Sequence, residues 1–143
     1  MANPSRDKGT RMETTAKRYL QASGWPQADR QPLRGDRDQG DLVVSRIPLI
    51  IAEVKYRDHA FSDAQLGRWL EETEREAVHA GADLGVLIVA RKYRNPRDWD
   101  AYMRACDWVL LLTGDEVLWP DAPCPMQVSV EHWSRMAKAW ADG

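Results

Sequence analysis

The chain has 143 residues, 43% apolar and 29% charged, with a net charge of −2. That length suits one domain with its own core and is short for two, so a single domain over 1–143 is expected. No run approaches the ~18 apolar residues of a membrane span. The N-terminal Met-Ala-Asn-Pro-Ser-Arg-Asp-Lys lacks the apolar heart of a secretory signal, so a cytoplasmic protein with no membrane partner is expected. Cys106 and Cys124 show no zinc-type spacing, which predicts free thiols. His59, His79 and His132 share no metal-ligand spacing and are expected at the surface or as caps.

Residues 1–9 are polar, with Pro4 and Gly9, and predict a flexible basic arm. Met12, Ala16, Tyr19 and Leu20 recur with helical spacing, predicting a helix from Thr10 to Ala22 that stops at Ser23-Gly24. Thr10 and Glu13 also fit a capping box, which gives Glu13 an ordinary task at a helix start. An Arg- and Gln-rich stretch near Ala28–Leu33 reads as a weak strand or a loop. Two apolar runs, Leu42–Ser45 and Ile50–Lys55, flank a break at Arg46-Ile47-Pro48 and predict a hairpin. Asp63 is expected to cap a helix over Ala64–His79. Leu66, Trp69, Leu70, Thr73 and Ala77 form its apolar face, and Arg68, Glu71, Glu72, Glu74, Arg75 and Glu76 form its solvent face. Leu84–Ala90 is apolar on both faces, as in a buried strand covered by helices. A short helix near Pro96–Ala105, a strand at Trp108–Leu112 and an irregular segment over 113–128 follow. Ser129 caps a last helix over 129–141, striped by Trp133, Met136, Ala137 and Trp140. Trp133 and Trp140, so near the C-terminus, are expected at a subunit interface. The sum is a mixed α/β fold with a central sheet flanked by helices.

Charge is unevenly distributed. Residues 1–57 carry 11 Lys/Arg against 7 Asp/Glu, and residues 58–143 carry 9 against 15. Three of the seven acids are Glu13, Asp41 and Glu53; if they share a pocket, the surface around it is basic and suits a phosphate backbone. A hairpin turning at Ile47 pairs residues whose numbers sum to 94, which sets Asp41 opposite Glu53. Opposed Cβ atoms lie about 4.5–5.5 Å apart, close enough for both carboxylates to share one divalent cation. Lys55, two residues on, projects to the same side as Glu53. The alternative is a routine strand-end salt bridge between Glu53 and Lys55, with Asp41 closing a loop. Two acids, a backbone carbonyl at Val54 and an amine suit phosphodiester hydrolysis, which needs a cation, a positioned water and stabilisation of the leaving oxygen.

Glu13 in the first helix, Gly40-Asp41, Glu53-Val54-Lys55 and a helix starting near Gln65 together resemble the PD-(D/E)XK nuclease superfamily. Within it they are most similar to the archaeal-type and phage Holliday junction resolvases, which also begin with a basic Lys-Gly segment like Lys8-Gly9. The resemblance spans roughly residues 6–95. Gly40 stands where the pattern has proline. Asp36 and Asp38 are rival aspartates, but only Asp41 adjoins the strand.

The resemblance implies a restriction-endonuclease-like core of α-β-β-β-α-β order and a homodimer acting on branched DNA, the four-way junction. It implies that Asp41, Glu53 and the Val54 carbonyl bind Mg²⁺, with Mn²⁺ as a substitute. Lys55 would serve the attacking water, and Glu13 would complete the site directly or through water. Gln65, followed by Trp69, is similar to a Gln-aromatic element of some nuclease branches. Lys8, Arg30, Arg34, Arg37, Arg91, Lys92 and Arg94 are the expected DNA contacts. Another branch-, damage- or restriction-type endonuclease, or a non-catalytic DNA-binding module on the same fold, are the alternatives.

Overall fold

A computed structural model of the chain describes residues 4–32, 40–57, 60–117 and 125–143, with the backbone alone for 4–7. Arg34, Arg37, Asp36, Asp38, His59 and Cys124 lie outside the described residues. In chain order the elements are α1 (Pro4–Ala22), β1 (Asp29–Arg30), β2 (Leu42–Arg46), β3 (Leu49–Arg57), α2 (Asp63–Ala80) and β4 (Leu84–Arg91). There follow a 3₁₀ turn (Pro96–Asp98), β5 (Asp100–Arg104), α3 (Ala105–Thr113), β6 (Pro125–Ser129) and α4 (Val130–Asp142). The strands form one mixed sheet ordered β1-β2-β3-β4-β5-β6. Only β3 and β4 run parallel, joined by the α2 crossover, and every other neighbour pair is antiparallel. The α-β-β-β-α-β order that the resemblance implies is present.

Strand alternation splits the core into two layers. Ile50, Ala52 and Val54 of β3 and Val86, Ile88 and Ala90 of β4 pack with Ala16 and Leu20 of α1, Trp108 of α3 and Trp133 of α4. On the other face Leu87 and Val89 of β4 meet Leu66, Trp69 and Leu70 of α2. Gly85 lets α2 approach closely, since a Cβ there would stand 3.1 Å from the Ala77 Cβ. Ser62 rather than Asp63 caps α2, its side chain accepting from the Gln65 N–H, and Gly81 closes the helix in the left-handed conformation. Ser129 caps α4 as expected.

Several expectations are corrected. The segment from Pro4 to Gly9 is the first part of α1 rather than an arm, so Thr10 sits inside a helix and no capping box forms. Asp100–Arg104 is a strand, although Pro96 opens a helical turn, because Ala101 and Met103 face the core while the alternate Tyr102 faces the α2 layer. Ala105–Thr113 is helical rather than extended: its apolar run contains the 3-residue step of Trp108 and Leu111, its two buried positions. Residues 125–129, placed in the irregular segment, add the outer strand β6. Trp133 is fully buried under the sheet, stacked 6.4 Å from Trp25, and Trp140 packs against the same core. Trp133 is therefore core and cannot face a partner subunit.

Candidate metal-binding active site

At the site end of the hairpin the register is the expected one, with Leu42 opposite Ala52 and Val43 opposite Ile51. The tight turn at Ile47-Pro48 would shift the pairing by one, and an irregularity between Val43 and Ser45 absorbs that shift. Asp41 stands just before β2, near enough to Glu53 for its charge to act on that carboxyl. Its N–H donates to the Ala52 carbonyl (3.0 Å), its carbonyl accepts from Gln31 N–H (2.8 Å), and its Oδ2 accepts from Val54 N–H (2.8 Å).

The backbone before Asp41 needs a glycine. Gly40 has φ of 94°, and an added Cβ would lie 2.9 Å from Ile51 Cδ1. A Gly40→Ala substitution should cost about 1–2 kcal/mol and displace Asp41. Denaturant unfolding beside a cation-binding titration checks this; unchanged values in both would refute it.

Glu53 is buried, and its Oε1 lies 3.2 Å from Lys55 Nζ. Lys55 Nζ also meets Glu72 at 3.2 Å to Oε2 and 3.3 Å to Oε1. Helix α2 runs back along β3, so two strand residues (about 6.6 Å) match one helical turn of four residues (about 6.0 Å). Glu76 thereby faces Glu53 while Glu72 faces Lys55. Carboxylate oxygens of Glu53, Glu72 and Glu76 lie within 4.8 Å of one another. Burial, then the shared hydrogen bond with Glu76, then the charges of Asp41 and Glu76 push the Glu53 carboxyl up to about 11, against the pull of Lys55. Burial pushes Lys55 down, but Glu53 and Glu72 outweigh it and hold its value above the ordinary one. Lys55 is thus an ammonium at neutral pH, a donor rather than a base.

Glu13 reaches the site from α1. Burial and the Asp41 charge raise its pKa, opposed by Arg30, whose Nη2 is 3.0 Å from Glu13 Oε2. The capping alternative for Glu13 is gone.

The structure thus brings together Glu13, Asp41, Glu53, Val54 and Lys55. Gln65 stays apart: its Oε1 accepts from Arg68 at 3.0 Å, and it precedes Glu72 by nearly two helical turns, about 10 Å. Among the basic residues, Lys8 lies over the Tyr56 ring (4.6 Å), Arg30 pairs with Glu13, Arg91 pairs with Asp100 (3.4 Å), and Lys92 lies over Tyr93 (5.1 Å). Arg91, Lys92 and Arg94 leave β4 at the end where β3 carries Lys55, because Lys55 pairs with Val89 and Arg57 with Arg91.

Glu72 and Glu76, expected on the solvent face, lie with Glu53 and Lys55 instead. The signal was legible: Leu66, Trp69, Thr73 and Glu76 step by 3, 4 and 3 residues, so Glu76 continues the buried stripe.

The donor set fits a divalent cation. Its oxygens are hard ligands. Glu53 Oε2 is buried with no N–H or hydroxyl donor facing it among the described residues, so a proton shared with Glu76 or a cation must balance it.

No family model matches the chain, and no curated protein matches it. The structure is similar to that of Hjc, a Holliday junction resolvase from the archaeal hyperthermophile Archaeoglobus fulgidus, with 20% sequence identity, 86% of this chain and 84% of that chain covered, and a TM-score of 0.46.

Proposed function

We propose that the protein is a Mg²⁺-dependent, structure-selective DNA endonuclease, a Holliday junction resolvase making paired incisions in four-way junctions. The observation that carries this reading is the meeting of Asp41, just before β2, with Glu53 and Lys55 in the second half of β3, in the arrangement that the sequence resemblance assigns to phosphodiester hydrolysis. Asp41, Glu53 and the Val54 carbonyl hold the cation, with Glu13 beside Asp41; Mn²⁺ substitutes for Mg²⁺. When bound, the cation neutralises charge on the scissile phosphate.

Lys55, kept charged by Glu53 and Glu72, donates hydrogen bonds to the attacking water and to the charge that develops on the phosphate. Lys8, Arg30, Arg91, Lys92 and Arg94, with Arg34 and Arg37, contact phosphates, so recognition is of shape more than of bases. Two symmetric incisions require two sites related by a dyad, hence a homodimer. The reaction takes place in a cytoplasm, that of the host if the chain is phage-encoded.

The test incubates purified protein with labelled four-way junction, Y-fork and linear duplex, with and without Mg²⁺, beside Asp41→Asn. Paired nicks confined to the junction, absent without Mg²⁺ and in the variant, are expected. Equal cutting of linear duplex would replace resolution by a less selective endonuclease. Binding without any cutting would make the protein a DNA-binding module.

A further inference from the structure

Tyr93 is the odd residue of the basic cluster. It is 94% exposed and is the only non-glycine among the described residues with positive φ (62°). A bulky side chain in that conformation costs roughly 1–2 kcal/mol that glycine would avoid. Exposing a large ring recovers no core packing in return. Strain without a structural return points to use.

The turn that carries it is held firmly. Arg94 N–H donates to the Arg91 carbonyl (3.3 Å), the indole of buried Trp99 donates to the Arg94 carbonyl (3.2 Å), and Arg91 is pinned by Asp100. Lys92 Nζ lies over the Tyr93 ring at 5.1 Å, adding positive charge beside an otherwise open aromatic surface. A cleft of about 490 Å³ opens alongside, lined by Tyr93, Arg94, Asn95, Asp98, Asp100 and Gln127 among others.

Position completes the case. Tyr93 follows Val89, the β4 neighbour of Lys55, by four residues. It therefore lies at most about 13 Å beyond the candidate catalytic lysine along the strand direction, about four nucleotide steps of 3.4 Å.

The geometry points to Tyr93 as a stacking platform for an unpaired or unstacked nucleobase of branched DNA. Arg91, Lys92 and Arg94 guide the flanking phosphates, and the cleft beside the ring receives the base edge. An aromatic on a basic turn suits a splayed base because every base has a π-face, whereas a continuous duplex offers none. This rests on the reading of the protein as a branched-DNA nuclease, and it names the residue that separates a branch point from plain duplex.

The experiment measures binding without divalent cation, so that nothing is cut. Wild type, Tyr93→Ala, Tyr93→Trp and Tyr93→Gly are titrated with a four-way junction carrying 2-aminopurine at the branch point and with the matched linear duplex. Wild type is expected to bind the junction and quench its fluorescence. Tyr93→Ala and Tyr93→Gly should bind the junction about tenfold more weakly, lose the quenching and leave duplex binding unchanged, while Tyr93→Trp retains both. Tyr93→Gly should also keep or raise the thermal midpoint, which separates lost stacking from misfolding. Equal junction affinity in wild type and Tyr93→Ala, or equal weakening on junction and duplex, would overturn the stacking role and leave the nuclease reading standing. A wild type that binds neither DNA would overturn the nuclease reading, and the stacking role with it.

Discussion

Glu53→Gln is expected to reduce divalent-cation-dependent cleavage by roughly 10²- to 10³-fold or more while making the cation-free protein more stable at pH 8. Burial, the bond to Glu76 and the nearby Asp41 charge all disfavour the ionised Glu53 carboxylate. An amide of the same shape carries no charge, still offers an oxygen to Lys55 and can donate to Glu76. Relieving such a site typically stabilises by about 1 kcal/mol, or about 3 °C in a chain of this size. Thermal denaturation and cleavage measured on one preparation check both halves. A less stable variant that still cuts like wild type would show that Glu53 is an ordinary strand-end ion-pair partner.

The second large effect couples pH to the cation. The folded-state value of Glu53 lies far above its ordinary 4.5, so between that pH and about 11 the folded protein holds a proton that the unfolded chain has released. Stability from this group is complete below about pH 4.5 and declines as pH rises, opposite to a salt-bridged carboxylate. Glu13, also raised, adds in the same direction. The thermal midpoint of the cation-free protein should therefore fall between pH 5 and pH 9. A divalent cation held by these carboxylates would take over the proton's task, so added Mg²⁺ or Mn²⁺ should restore the midpoint at pH 8–9. At a hundred times its dissociation constant a cation contributes about 2.7 kcal/mol, roughly 8 °C here. At pH 5 protons compete and the gain should nearly vanish. Glu76→Gln should flatten the pH slope, because the amide removes one of the opposed charges. A midpoint that is flat from pH 5 to 9 and indifferent to both cations would show that the acids do not form a cation site.

The same physics explains what could be read in advance. The register of Leu42 with Ala52 and Val43 with Ile51 followed from counting residues around one turn, and it survived an altered turn because the shift near Val44 restored it; Asp41, just outside the strand, bonds Ala52 and lies close to Glu53. Lys55 followed from strand alternation alone. The element types of 96–113 did not follow. Asp100–Arg104 and Ala105–Thr113 are short and apolar, and for such runs helix and strand differ in what they pack against more than in local preference. Glu76 lies on the buried stripe that its spacing continues, although a carboxylate in a run of charged residues reads as solvent-facing.

What the sequence by itself determined are the local geometries. The hairpin brings Asp41 alongside the strand of Glu53, period two sets Lys55 on the side of Glu53, period 3.6 shapes α2, and Gly40 permits the turn into the site. What only the tertiary structure decided is which distant charges share that space. The path of α2 back along β3 matches one helical turn to two strand residues, placing Glu76 against Glu53 and Glu72 against Lys55. The packing of α1 on the opposite face of the sheet brings Glu13 to Asp41. Such pairings depend on the approach of whole elements, set by contacts such as Gly85 against Ala77, and no local pattern encodes them.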